Sequence, residues 1–178
     1  MKHRNILLAL SLISSSATAI VRRHDVPDQQ HLDYAKQFAA YGDVAEAGST
    51  LIAPQWLLTA GHVAESISPY TSFATVGGNV YDIDRIIMHP ENSSPGANRV
   101  DLALLRLTKP VLNVDPIALY RSSREVGQVV SFFGRGMAGT GKTGPSDTDG
   151  FMRGATNRIE SVTQQTISMK FDPAVAAL

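Results

Sequence analysis

Cysteine is absent from this 178-residue chain. That excludes disulfides, thiol nucleophiles and thiolate metal sites. A surplus of charge is also absent, with 16 basic against 16 acidic residues and no basic run. Such a chain carries no electrostatic footprint for nucleic acid or an anionic membrane. Long apolar runs are missing as well. The stretch at residues 6–13 is eight residues long, too short to span a bilayer as a helix, and no later stretch comes closer.

What the N-terminus does contain is the layout of a secretory leader. Lys2 and Arg4 give a positive start, residues 6–13 an apolar centre, and Ala17-Thr18-Ala19 a small-x-small cleavage pattern. This predicts a signal peptide over residues 1–19 and a secreted protein, extracellular or periplasmic. Removing it leaves 159 residues, with 14 basic against 16 acidic. An exported chain without disulfides is held by its core alone. This length allows one or two small domains with real cores.

Residues 28–41 place Leu32, Ala35, Phe38 and Ala39 at helical spacing, which predicts one short helix in a segment spanning 20–43. The remaining punctuation is that of strands. Runs at 49–53, 56–59, 73–76, 81–88, 101–107 and 126–133 end at Pro54, Gly77-Gly78, His89-Pro90 and Pro110, among other breakers. Ala103, Leu105 and Leu107 alternate onto one face. Residues 135–150, rich in glycine, serine and threonine, predict a surface loop. Residues 165–171 alternate and predict a half-buried strand. The pattern is all-β, a barrel or a sandwich.

Two short motifs carry chemistry. Thr59-Ala60-Gly61-His62 is followed 39 residues later by Asp101, which opens the apolar run Leu102-Ala103-Leu104-Leu105. A histidine is a good general base near neutral pH. To activate a hydroxyl it must be held in one tautomer, and a carboxylate accepting Nδ1–H does this. A carboxylate at the head of so apolar a run is expected to be buried, with a histidine as its partner.

These motifs resemble those of trypsin-like, chymotrypsin-family (S1) serine proteases. Residues 57–63 resemble the family's histidine motif and residues 101–107 its aspartate motif, in the family's order. Gly48-Ser49-Thr50-Leu51-Ile52 before Trp56, His89-Pro90, Pro110-Val111 and Phe133-Gly134-Arg135-Gly136 agree as landmarks. The resemblance covers roughly residues 20 to 173. It implies a double β-barrel, the first barrel complete over residues 44–120 and the second partial over 121–178. It implies a secreted serine endopeptidase acting on protein or peptide substrates by acyl transfer, with catalytic His62 and Asp101 and no metal or organic cofactor.

The sequence departs from the family in three ways. Gly61 stands where alanine is usual, and Val63 where a cysteine is usual. The Gly-Asp-Ser-Gly-Gly motif, source of the nucleophile and of the oxyanion-hole N–H groups, is not present. Ser131, Ser146 and Ser168 have no comparable glycine setting. The expectation is a C-terminally truncated protease, since two such barrels need more than 159 residues, and the chain as given is expected to be inactive. The alternative is a secreted homologue that lost the serine and acts by binding. Ile20-Val21 directly follows the predicted cleavage site. In the family a freed Ile-Val terminus ion-pairs beside the nucleophile, so signal cleavage would create the activating terminus; otherwise Ile20 simply starts the mature chain.

The remaining candidates are weaker. His24, His31 and Glu65 form no metal pattern, and His62 with Glu65 lacks the second histidine of a zinc helix. Gly139-Thr140-Gly141-Lys142-Thr143 lacks the upstream glycine of a phosphate loop. His89, beside Pro90, reads as structural. Asn92-Ser93-Ser94 matches a glycosylation acceptor.

Overall fold

The structure is a computed structural model that describes residues 21–93, 99–164 and 166–171. Its elements in order are β1 (Val21–Arg22), α1 (Asp28–Ala35), β2 (Tyr41–Val44), β3 (Ala47–Ala53), β4 (Trp56–Thr59), α2 (Gly61–Glu65), β5 (Phe73–Val76) and β6 (Asn79–Met88). A 3-10 turn, Pro90–Ser93, precedes β7 (Ala103–Leu107). Then come β8 (Val129–Gly134), β9 (Met137–Thr140), β10 (Gly144–Thr148), β11 (Arg153–Arg158), β12 (Ser161–Val162) and β13 (Ile167–Ser168). The all-β expectation holds, and the predicted signal peptide and Ile20 lie outside the described residues.

Strands β2 to β7 close into a six-stranded barrel in the order β2-β3-β4-β7-β6-β5. Closure leaves no edge to protect. Alternation supplies the core: Val44, Leu51, Leu57, Ala74, Val76, Ile83, Ala103, Leu105 and Leu107 point inward and are buried. The segment after β7 folds back over the barrel, where Val111 N–H donates to Pro54 O at 2.7 Å and Ile117 N–H to Leu51 O at 2.9 Å. Gly77 and Gly78 form the two-residue β5–β6 loop, both at positive φ, as a type I′ hairpin requires. The equally short β2–β3 loop is Ala45-Glu46, also at positive φ, where neither residue is at ease.

The second half is a set of short sheets: β1-β9-β10, β8-β11 and β12-β13. Three expectations are corrected here. Residues 135–150 are not a loop but largely the hairpin β9–β10. Gly139 reflects close strand approach, since a β-carbon on it would lie 1.9 Å from the Gly144 carbonyl oxygen, while Gly136 and Gly144 take positive φ. Among the described residues of 165–171, only Ile167–Ser168 pairs, and both residues are exposed, so a half-buried strand is not formed there. The helix ends at Ala35 rather than at 41, because the chain tightens into 3-10-type bonds (Gln37 N–H to Tyr34 O, Phe38 N–H to Ala35 O) and then enters β2.

Helix α1 is fastened to β11. Gly154 permits the approach, since a β-carbon there would meet Tyr34 at 2.8 Å. His31 Nδ1 lies 2.9 Å from Gly154 O, and Phe38 stacks on Phe133 with ring centroids 4.1 Å apart. Arg153, 5% exposed, grips two carboxylates: Nε and Nη2 to Asp28 at 2.7 and 2.8 Å, Nη1 and Nη2 to Asp149 at 2.9 and 2.6 Å. The hydrogen bond from Arg153 holds the Asp28 carboxyl below the ordinary range. The same donor brings Asp149 down to about 2. Depressed carboxyl values stabilise the fold above the unfolded value of 3.8, and the gain is lost as pH falls toward about 2. Arg153→Met is expected to cost roughly 2 kcal/mol, below the ~3–5 kcal/mol of breaking a fully buried pair because both carboxylates keep some solvent. Thermal unfolding against pH checks this: the difference from wild type should shrink as pH drops from 4 toward 2.

Candidate functional site

Register builds the site. In the antiparallel pair β4–β7, Thr59 lies opposite Ala103. The chain leaving β4 therefore emerges beside the chain entering β7. Three residues on stands His62, in the first turn of α2; two residues back stands Asp101. Separated by 39 positions, they meet without either strand bending.

The two make two hydrogen bonds. His62 Nδ1 lies 2.7 Å from Asp101 Oδ2, and the His62 backbone N–H donates to Oδ1 at 2.8 Å. The second bond matters to α2. Its N-cap, Ala60, is extended and offers no side-chain acceptor, so the first-turn N–H groups need one from elsewhere. Asp101 thus serves the helix and the ring with one carboxylate. A carboxylate facing Nδ1 fixes the proton there, which leaves the Nε2 lone pair free to accept.

Burial differs from the expectation. The His62 and Asp101 side chains are 64% and 43% exposed. Asp101 precedes β7 rather than lying in it. Desolvation still pushes its carboxyl upward, but the two His62 hydrogen bonds, with the charges of His62 and Arg99, outweigh this and hold it below its usual value of 3.8.

A second layer was not legible beforehand. Asn92 Nδ2 donates to Glu65 Oε1 at 2.7 Å, Arg99 Nη2 donates to the same oxygen at 3.1 Å, and Arg99 Nη2 lies 3.9 Å from Asp101 Oδ1. Asn92 is 4% exposed. The glycosylation match at Asn92-Ser93-Ser94 therefore finds no support at Asn92, a buried, bonded amide, and its Ser94 lies outside the described residues. The one sequence signal for Asn92 was its place two residues after Pro90, at the strand end before Asp101.

The other candidates lie elsewhere. Ser131 Oγ bonds the Tyr34 hydroxyl at 2.7 Å, Ser146 Oγ donates to Ala138 O at 3.3 Å, and Ser168 sits in β13. His89 Nδ1 accepts from the Glu91 N–H at 3.2 Å, a turn contact. Residues 139–143 are the β9–β10 turn region. A cavity of about 1130 Å³ lies between α1, β8 and β11, lined by His31, Tyr34, Phe133 and Arg135 among others, and includes neither His62 nor Asp101. Among the described residues no cluster of three His, Asp or Glu side chains could hold a metal ion.

Comparison with known proteins agrees with this geometry. The Trypsin family model matches residues 20–169. The chain is 36% identical over 88 residues to serine protease 28 of Mus musculus, covering 43% of this chain and 32% of that protein. It is 33% identical over 80 residues to a trypsin of Simulium vittatum, covering 42% and 32%. It is 33% identical over 112 residues to the thrombin-like enzyme barnettobin of Bothrops barnetti, covering 57% and 43%. Neuropsin, a serine protease expressed in the limbic system of mouse brain, shares the fold at a TM-score of 0.62 and 19% identity, over 76% of this chain and 70% of that one. The chain belongs to the trypsin family, and its fold is that of a trypsin-like serine protease. The matches span about a third to two-fifths of the curated relatives' length.

Substituting Asp101→Asn swaps one His62 acceptor for an amide. The low-field proton resonance of a histidine Nδ1–H held by a carboxylate is expected in wild type and not in the variant. In wild type it should persist as pH falls through 3.8 and disappear only below, as the lowered Asp101 value requires. Proton NMR against pH reads both.

Proposed function

We propose that the chain supplies the base half of a secreted serine endopeptidase. His62 acts as general base and then general acid, and Asp101 sets its tautomer and stabilises the imidazolium that forms. The observation that carries this reading is the paired bonding of one carboxylate to the His62 ring and to its backbone N–H. The leader at residues 1–19 supports export, and the trypsin-family match supports a protein or peptide substrate.

In acyl transfer the histidine takes the proton of a serine hydroxyl as the oxygen attacks the scissile carbonyl. It then returns the proton to the leaving amine. Nε2 of His62, with Nδ1 committed to Asp101, is the atom placed for both steps. The nucleophile and the oxyanion-hole donors are proposed to come from sequence following residue 178, carrying Gly-Asp-Ser-Gly-Gly. Without them the chain as given is catalytically silent: losing the nucleophile alone costs about a millionfold in turnover in a comparable triad.

Purified chain of residues 1–178 is expected to hydrolyse peptide substrates no faster than the buffer background. Hydrolysis that disappears in His62→Ala would contradict this and point to a substitute serine. The coding sequence beyond the Leu178 codon is expected to encode the missing motif; an in-frame stop there, with no other reading frame supplying it, favours a homologue that binds without cutting.

A further inference from the structure

Helix α2 and the segment carrying Asp101 are joined by more than the His62–Asp101 bonds. Gly61 and Glu65 lie four residues apart, on one face of α2. The Asn92 side chain reaches both. Its Nδ2 donates to Glu65, while its Oδ1 occupies the space beside Gly61: a β-carbon on Gly61 would lie 2.0 Å from Asn92 Oδ1 and 3.1 Å from Asp101 Oδ1. That Oδ1 is fully buried and makes no hydrogen bond. An apolar side chain would fill the space without leaving an acceptor unpaired, so filling alone does not explain an asparagine here.

The turn that bears Asn92 is itself laced to the Asp101 segment. His89 N–H donates to Leu102 O at 2.9 Å, Val100 N–H to Glu91 O at 3.2 Å, and Asn92 N–H closes the turn on His89 O at 2.9 Å. Arg99 completes the ring by bonding Glu65 and facing Asp101. The circuit therefore runs from the helix through Asn92 to the strand entry and back through Arg99.

We propose that Asn92 is a positioning residue for the His62–Asp101 pair: it wedges against Gly61 and, through Glu65 and Arg99, fixes the carboxylate where both His62 donors reach it. Gly61 is the residue that leaves room for the wedge. This rests on the reading of His62 and Asp101 as base and orienter, but its test reads geometry rather than hydrolysis. Failure here leaves the endopeptidase reading standing, and an inactive full-length protein leaves this geometry testable.

The test uses the full 15N-labelled chain and follows exchange of the His62 backbone amide and its Nδ1 proton resonance, with the Leu105 and Leu107 amides of β7 as reference. Asn92→Ala is expected to accelerate His62 amide exchange about tenfold or more and to broaden the Nδ1 signal, with the reference amides unchanged. Gly61→Ala is expected to do the same by collision. The double variant, in which the new methyl takes the vacated space, is expected to return to within about twofold of wild type. Arg99→Gln, at an exposed position that folding tolerates, is expected to accelerate His62 exchange about threefold. The proposal is overturned by wild-type His62 behaviour in Asn92→Ala or in Arg99→Gln. It is overturned equally by reference amides that accelerate in step with His62, or by a double variant no better than Gly61→Ala alone.

Discussion

The site depends on the register of β4 against β7. Thr59 opposite Ala103 is what brings residues 62 and 101 together. A slip of one residue would turn either Leu57 of β4 or Leu105 and Leu107 of β7 out of the barrel, and these are among its most deeply buried side chains. The hydrophobic core therefore specifies the histidine–carboxylate pairing at long range. Packing decides where the polar pair forms, and the pair itself contributes little to the decision, since both members keep much of their solvent exposure.

Polar groups then refine what the core has placed. Asp101 stands in for the side-chain cap that α2 lacks, so the same bond that orients the carboxylate also secures the helix carrying the histidine. Asn92, Glu65 and Arg99 lie behind it. In the other half of the molecule, Arg153 performs a comparable tie between α1 and β11, with no cysteine anywhere to share the task. In this cysteine-free chain, bidentate ion pairs at Arg153 and close approach at Gly154 tie α1 to the strands.

Much of the barrel was legible in the sequence because its strands alternate cleanly. The strands Trp56–Thr59 and Phe73–Val76 fall where their punctuation placed them, and Gly77-Gly78 marks its hairpin openly. Ala45-Glu46 does not, since its positive φ values oppose both residues' preferences and only the flanking strands impose them. The β9–β10 hairpin was hidden by glycines that look like loop composition, although Gly139 is demanded by strand contact and Gly136 and Gly144 by positive φ. The histidine and aspartate were recognisable from motif and order. Asn92 was not, because its role depends on a vacancy at Gly61 that exists only once α2 and the 3-10 turn are folded against each other.

The proposed division of labour, with His62 and Asp101 here and the nucleophile in following sequence, is tested most directly by covalent labelling of the natural protein product. A fluorophosphonate, which reacts only with a serine activated by a neighbouring base, should modify one serine lying beyond residue 178. The labelling should vanish when His62 is replaced by alanine. Modification of a serine within residues 20–178, or labelling that survives the loss of His62, would contradict the account.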